Sequence, residues 1–145
     1  MARMQAMDYE TISPDEFGAS LRGFGFNLLV TDVRRTTRFL EEVFGMTAHR
    51  VSPDFAIMTH GPNVMQLHSD GTYGSHPLLG LLPENPPRGG GIEVRLYECD
   101  PDEAAARAEA AGGTVLAEPQ DKPHGLREAF ILCADGYAWV PSRPK

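Results

Sequence analysis

An α+β fold built from two βαβββ modules around one core is the class this sequence predicts. Three observations carry the expectation. A strand-like run at 26–30 leads through Asp32 into a helical run that stops at Phe44-Gly45, and a second run at 92–96 leads through Asp100 into a helical run that stops at Gly112-Gly113. Asp32 and Asp100, and likewise Gly45 and Gly113, stand 68 positions apart, with no gap between the two landmarks. A strand–helix unit repeated at a fixed offset implies two similar modules whose apolar faces share one core.

The elements follow in order. Residues 1–23 form an N-terminal extension without a clear period, although Ser13-Pro14-Asp15-Glu16 reads as a helix start, with Ser13 as N-cap and Pro14 at the first helical position. The first module spans 24–69. Its strand at 24–31 alternates Phe26, Leu28 and Val30 against Gly25, Asn27, Leu29 and Thr31. Asp32 caps a helix whose Val33, Thr36, Phe39, Leu40 and Phe44 form one apolar stripe, and Gly45 supplies the left-handed stop. Strands at 47–51, 54–60 and 63–69 follow, with a turn at Gly61-Pro62-Asn63. Residues 70–90 are a Gly- and Pro-rich linker that carries Leu78, Leu79, Leu81 and Leu82, an apolar set suited to an interface. The second module, 91–145, repeats the plan: a strand at 91–98, a helix opened by Asp100-Pro101 with an alanine face, and strands at 114–118, 127–133 and 137–141 with Asp135-Gly136 as a hairpin turn.

Composition narrows the function. A length of 145 residues suits one domain with a substantial core, and a net charge of -7 argues against nucleic-acid and anionic-membrane partners. No apolar run reaches the roughly 20 residues a membrane helix needs, and the first sixteen residues show no secretory core. Two cysteines, Cys99 and Cys133, fit free thiols in a reducing compartment, so a cytoplasmic location is expected. No serine–histidine–aspartate order, HExxH, paired CxxC or Gly-rich phosphate loop is legible.

The doubled βαβββ plan resembles the vicinal oxygen chelate superfamily, which includes glyoxalase I, extradiol dioxygenases and the bleomycin-resistance proteins. The resemblance is carried by Val30-Thr31-Asp32 entering a helix that ends at Phe44-Gly45, by Gly112-Gly113-Thr114, and by the tail Pro123-His124-Gly125-Leu126-Arg127 with Asp135-Gly136-Tyr137-Ala138-Trp139. It covers roughly 24–142 and implies a curved, mostly antiparallel sheet around a cup, one glyoxalase-like domain overall, and a homodimer. Enzymatic members hold a divalent metal on four cup positions. By register these are Gly25, Gln66, Glu93 and Val140 here. Two of the four carry no donor, whereas a hard cation needs several.

Alternation predicts which side chains share the cup. These are Asn27 on the first strand, Gln66 and His68 on the fourth, and Glu93, Arg95 and Tyr97 on the first strand of module two. Glu93 and His68 are the candidate catalytic groups. Asn27, Gln66, Arg95, Tyr97 and Arg127 are the candidate ligand contacts, and Gln66 and Glu93 the residual metal ligands. An ion pair between Glu93 and Arg95 is the structural alternative for those two, and it opposes a basic role because a neighbouring cation stabilises the carboxylate. For His68 the preferred alternative is a hydrogen-bonded strand residue at the cup rim. Two functions follow. One is a small-molecule binder that needs no cofactor. The other is a divalent-metal-dependent lyase, isomerase or dioxygenase.

Overall fold

The computed structural model describes residues 7–72 and 76–145. Residues 1–6 of the predicted extension and 73–75 of the predicted linker lie outside the described residues. Helix α1 (Pro14–Ser20) comes first, with the Ser13 hydroxyl accepting from the Glu16 N–H as the cap motif predicts. Strand β1 (Asn27–Val30), helix α2 (Val33–Phe44), and strands β2 (Thr47–His49), β3 (Phe55–His60) and β4 (Asn63–Ser69) form the first βαβββ unit. A single 3₁₀ turn, Leu79–Leu81, lies in the connection. Strand β5 (Glu93–Tyr97), helix α3 (Pro101–Ala108), and strands β6 (Thr114–Asp121), β7 (Leu126–Leu132) and β8 (Ala138–Pro144) form the second. Among the described residues no helix is long and apolar enough to cross a membrane.

The strands make two four-stranded mixed sheets with matching orders, β1-β4-β3-β2 and β5-β8-β7-β6. In each, the first strand pairs in parallel with the last and the other pairings are antiparallel. β1 and β5 are therefore sheet edges. The repeat also extends to the helix starts. Asp32 accepts the Arg35 N–H at 3.0 Å, and Asp100 accepts the Asp102 and Glu103 N–H groups at 2.9 and 3.4 Å. Each cap satisfies amides the helix itself leaves unpaired.

Three sequence expectations need correction. β1 and β5 begin at Asn27 and Glu93, so Phe26 and Ile92 precede the strands and stay exposed instead of joining the core face. α3 ends at Ala108, and the left-handed glycine after it is Gly112, at φ 92°. Gly113 is needed for space instead. A Cβ there would fall 2.6 Å from the Phe39 ring and 2.9 Å from the Leu132 carbonyl oxygen.

One core joins both units. Val30, Phe39, Leu40, Phe44, Met58 and Leu67 from the first pack with Val94, Leu96, Ala104, Ala108, Ile131 and Trp139 from the second. The indole of Trp139 lies 5.9 Å from the Phe44 ring. Polar joints reinforce the seam. The Tyr137 hydroxyl donates to the Leu29 carbonyl at 2.7 Å, and Asp135 accepts from the Thr31 hydroxyl at 2.8 Å and its N–H at 3.1 Å. Arg88, from the connection, grips Asp70 through two bonds of 2.7 Å and also donates to the Leu29 carbonyl. Both cysteines are free and buried, and burial pushes the Cys99 thiol up to about 11.

A second, smaller cluster lies on the opposite face of the first sheet. Alternation sends Ala56, Met58, Met65 and Leu67 into the main core and leaves Ile57 and Val64 facing outward. Ile12 and Phe17 pack on Ile57, with Tyr9, Phe55 and Val64 around them. The N-terminal segment is therefore attached through this small cluster and not through the main core.

Candidate functional site

The outward faces of the two sheets follow from strand register. In the parallel pairs Asn27 lies beside Gln66 and Leu29 beside His68, while Arg95 lies beside Val140 and Tyr97 beside Ser142. The two sheets thus present equivalent rows with different chemistry. The first is mainly amide and apolar, and α1 lies against it. The second carries charge.

The charge is organised as a chain. The Arg95 guanidinium donates to the Glu93 carboxylate at 3.3 Å and, by a shorter bond, to Glu128. Glu128 is 5% exposed, so Arg95 is the cation that allows this carboxylate to be buried. His124 approaches the other oxygen of Glu128 at 3.8 Å, and the Arg95 guanidinium lies 5.8 Å from the Tyr97 ring centre. Under this chain Val140 and Ser142 are fully buried, and the Ser142 hydroxyl has no hydrogen-bond partner among the described residues.

An open groove of about 1110 Å³ runs beside the β1 and β5 edges. It brings together four of the residues the sequence singled out: Asn27, Gln66, Arg95 and Tyr97. Phe24 and Phe26 add aromatic wall, and Phe24 is 97% exposed. His60 spans the groove, with its Nε2 2.6 Å from the Tyr97 carbonyl oxygen.

The remaining candidates lie elsewhere. Glu93 is beside the groove, tied to Arg95. His68 is 8% exposed with its ring 5.2 Å from that of Phe55, and burial, with His76 nearby, holds its pKa below the ordinary histidine value. Arg127 points to the helix side of the second sheet, where it donates to Asp102 at 2.7 and 2.8 Å and to Asp121 at 3.2 Å. Its parity with Ile131, a core residue, dictates that side. Of the four register positions for a metal, Gly25 precedes β1 and has no side chain, and Val140 is apolar and buried. Among the described residues no group of three histidine, cysteine or acidic side chains is placed to hold a metal ion.

Sequence reasoning missed Glu128. A signal existed: the alternation of Glu128, Phe130 and Leu132 against Ala129 and Ile131 puts the carboxylate on the outward face. Choosing Arg95 as its partner required the pairings of β7 with β8 and β8 with β5.

A family model described as Glyoxalase/Bleomycin resistance protein/Dioxygenase superfamily matches residues 24–140. Solved structures share the fold. A glyoxalase/bleomycin resistance protein/dioxygenase family enzyme from Burkholderia phytofirmans PsJN is 19% identical with a TM-score of 0.67, covering 83% of this chain and 97% of its own. TioX from Micromonospora sp. ML1 is 24% identical with a TM-score of 0.60, covering 86% and 97%. A hypothetical protein, SA1046 from S. aureus, is 19% identical with a TM-score of 0.67, covering 88% and 97%. A human protein named serine protease 57 is 31% identical over 111 residues, 77% of this chain, and the chain spans 36% of that protein's length.

Proposed function

The chain belongs to the glyoxalase/bleomycin resistance protein/dioxygenase superfamily, and from that premise we propose that it binds a small organic ligand in the groove beside β1 and β5 without using the metal centre of the enzymatic members. The observation that supports this most is the state of Glu93. It is the one carboxylate at the four register positions, and it is bonded to Arg95, which also neutralises Glu128. Gln66 is the one other donor, because Gly25 and Val140 offer none. A divalent cation bound there would have to compete with the guanidinium for Glu93, with few protein ligands in return. The residues present do not fit such a centre.

The groove suits an organic ligand. Phe24, Phe26 and Tyr97 offer ring faces, and Asn27 and Gln66 offer carboxamides that both donate and accept. Its volume is slightly above the roughly 300–1,000 Å³ of typical small-molecule pockets. Arg95 is already paired twice, so a free anion-binding guanidinium is not what this surface presents.

Elemental mass spectrometry tests the reading on untagged protein loaded with Mn, Fe, Ni and Zn. The expected result is no stoichiometric metal in either the native protein or Glu93→Gln. About one metal per chain, lost in Glu93→Gln, would move the assignment to a divalent-metal-dependent lyase, isomerase or dioxygenase.

We also propose a homodimer. Leu78 and Leu81 of the connection are exposed, Leu81 by 79%, and exposed leucines are candidates for burial against a second chain. Leu81→Glu is expected to halve the mass measured by light scattering during size exclusion. An unchanged dimer mass would place the interface elsewhere, and a monomeric native protein would remove the proposal.

A further inference from the structure

The N-terminal segment has a core of its own. Ile12 and Phe17, each 7% exposed, belong to the small cluster on the outward face of the first sheet, and none of the segment's described residues joins the main core. Tyr9 meets Phe17 edge-on at 5.9 Å and His49 at 5.4 Å. The polar attachments are few. The Glu10 carboxylate accepts from the Arg50 N–H at 3.0 Å and lies 4.0 Å from His49 Nδ1, and the Arg50 guanidinium donates to the Ile12 carbonyl. The same stretch then runs into the groove, which Tyr9, Ser20, Leu21 and Arg22 help to line. It precedes residues 24–140, the part that matches the family model.

We propose that residues 8–20 are a displaceable cover on the first sheet, and that the surface beneath is a second, apolar half of the binding site. In this structure the chain's own Phe17 and Ile12 occupy that half. The face they cover carries Phe55, Ile57 and Val64, with Gln66 on the same face by strand alternation. It would take an aromatic or branched apolar group from a ligand that enters along the groove. Opening the cover breaks a separate small cluster and leaves the shared core intact, which is the condition for a local opening far less costly than global unfolding. A ligand using this half must outcompete a tethered occupant, so the cover also sets a threshold on affinity. This inference rests on the groove being the ligand site and is independent of whether a metal is used there.

Hydrogen exchange on the full chain tests it directly. The Phe17 N–H, bonded to the Ser13 carbonyl at 2.9 Å, and its neighbours in α1 are expected to exchange at least a hundredfold faster than the amides of residues 56–58 in β3. Equal protection would overturn the cover. In the full chain Phe17→Asp is then expected to raise the fluorescence of 1-anilinonaphthalene-8-sulfonate severalfold while the near-ultraviolet signal of Trp139 persists. Loss of the Trp139 signal would show that the segment is integral to the fold, and unchanged dye fluorescence would show that nothing is uncovered. Either would overturn the proposal. Both measurements are made without metal or ligand, so their failure is distinct from failure of the metal-free reading.

Discussion

Trp139→Ala is expected to lower stability by about 3–5 kcal/mol, the range for removing a fully buried tryptophan. Trp139 has no exposed surface, and its ring packs on Phe44 from the other βαβββ unit. The loss should therefore appear in both units at once. Denaturant unfolding followed by near- and far-ultraviolet circular dichroism should give coincident transitions for native protein and variant. Separate transitions would contradict a shared core. Trp139→Phe makes a useful control. The Trp139 indole N–H has no partner among the described residues, and an unsatisfied buried donor costs about 1–3 kcal/mol. Removing it offsets part of the lost volume, so the phenylalanine variant is expected within about 1.5 kcal/mol of native.

Arg95→Ala is expected to cost about 3 kcal/mol, or roughly 10 °C in Tm. The reason is electrostatic. Glu128 is buried on the outward face of the second sheet, and Arg95 is its close cationic partner. Without Arg95 a buried carboxylate is left with only the half-exposed His124 imidazole beside it, 3.8 Å away. The value falls at the low end for a broken buried pair because the Arg95 side chain keeps about a quarter of its exposure. Arg95→Met combined with Glu128→Leu should recover most of the loss, since apolar replacement of both members of such a pair is commonly neutral or better. A single-variant loss below about 1 kcal/mol in thermal and denaturant melts would show that Glu128 is hydrated and that Arg95 is free to serve a ligand.

These two residues illustrate different degrees of legibility. Alternation alone is enough to put Trp139 on the core side, because it is out of phase with the cup position Val140 and in phase with Tyr137. Arg95 was correctly placed on the outward face for the same reason. Its main partner was not found, because Glu128 stands 33 positions along the chain on a strand that is not paired with β5. Arg127 is a different case. As a candidate ligand contact it lies away from the groove, because strand parity turns its side chain toward Asp102 at the start of α3.

The sequence by itself determined the doubled βαβββ plan, both helix caps, the Gly45 stop, the turn at Asp135-Gly136 and the polar character of one strand face in each unit. All of these depend on interactions within a few residues or on the period of a single element, and that information is contiguous along the chain. The tertiary structure decided the rest. It set the Arg95–Glu128 partnership, the span from His60 to Tyr97, the exposure of Phe24 and Phe26 at the groove, and the seat of Ile12 and Phe17 on the first sheet. Each of those depends on which strands become neighbours and which edges are left open. Pairing between distant segments is chosen by the burial of the whole core, a property that no single segment encodes.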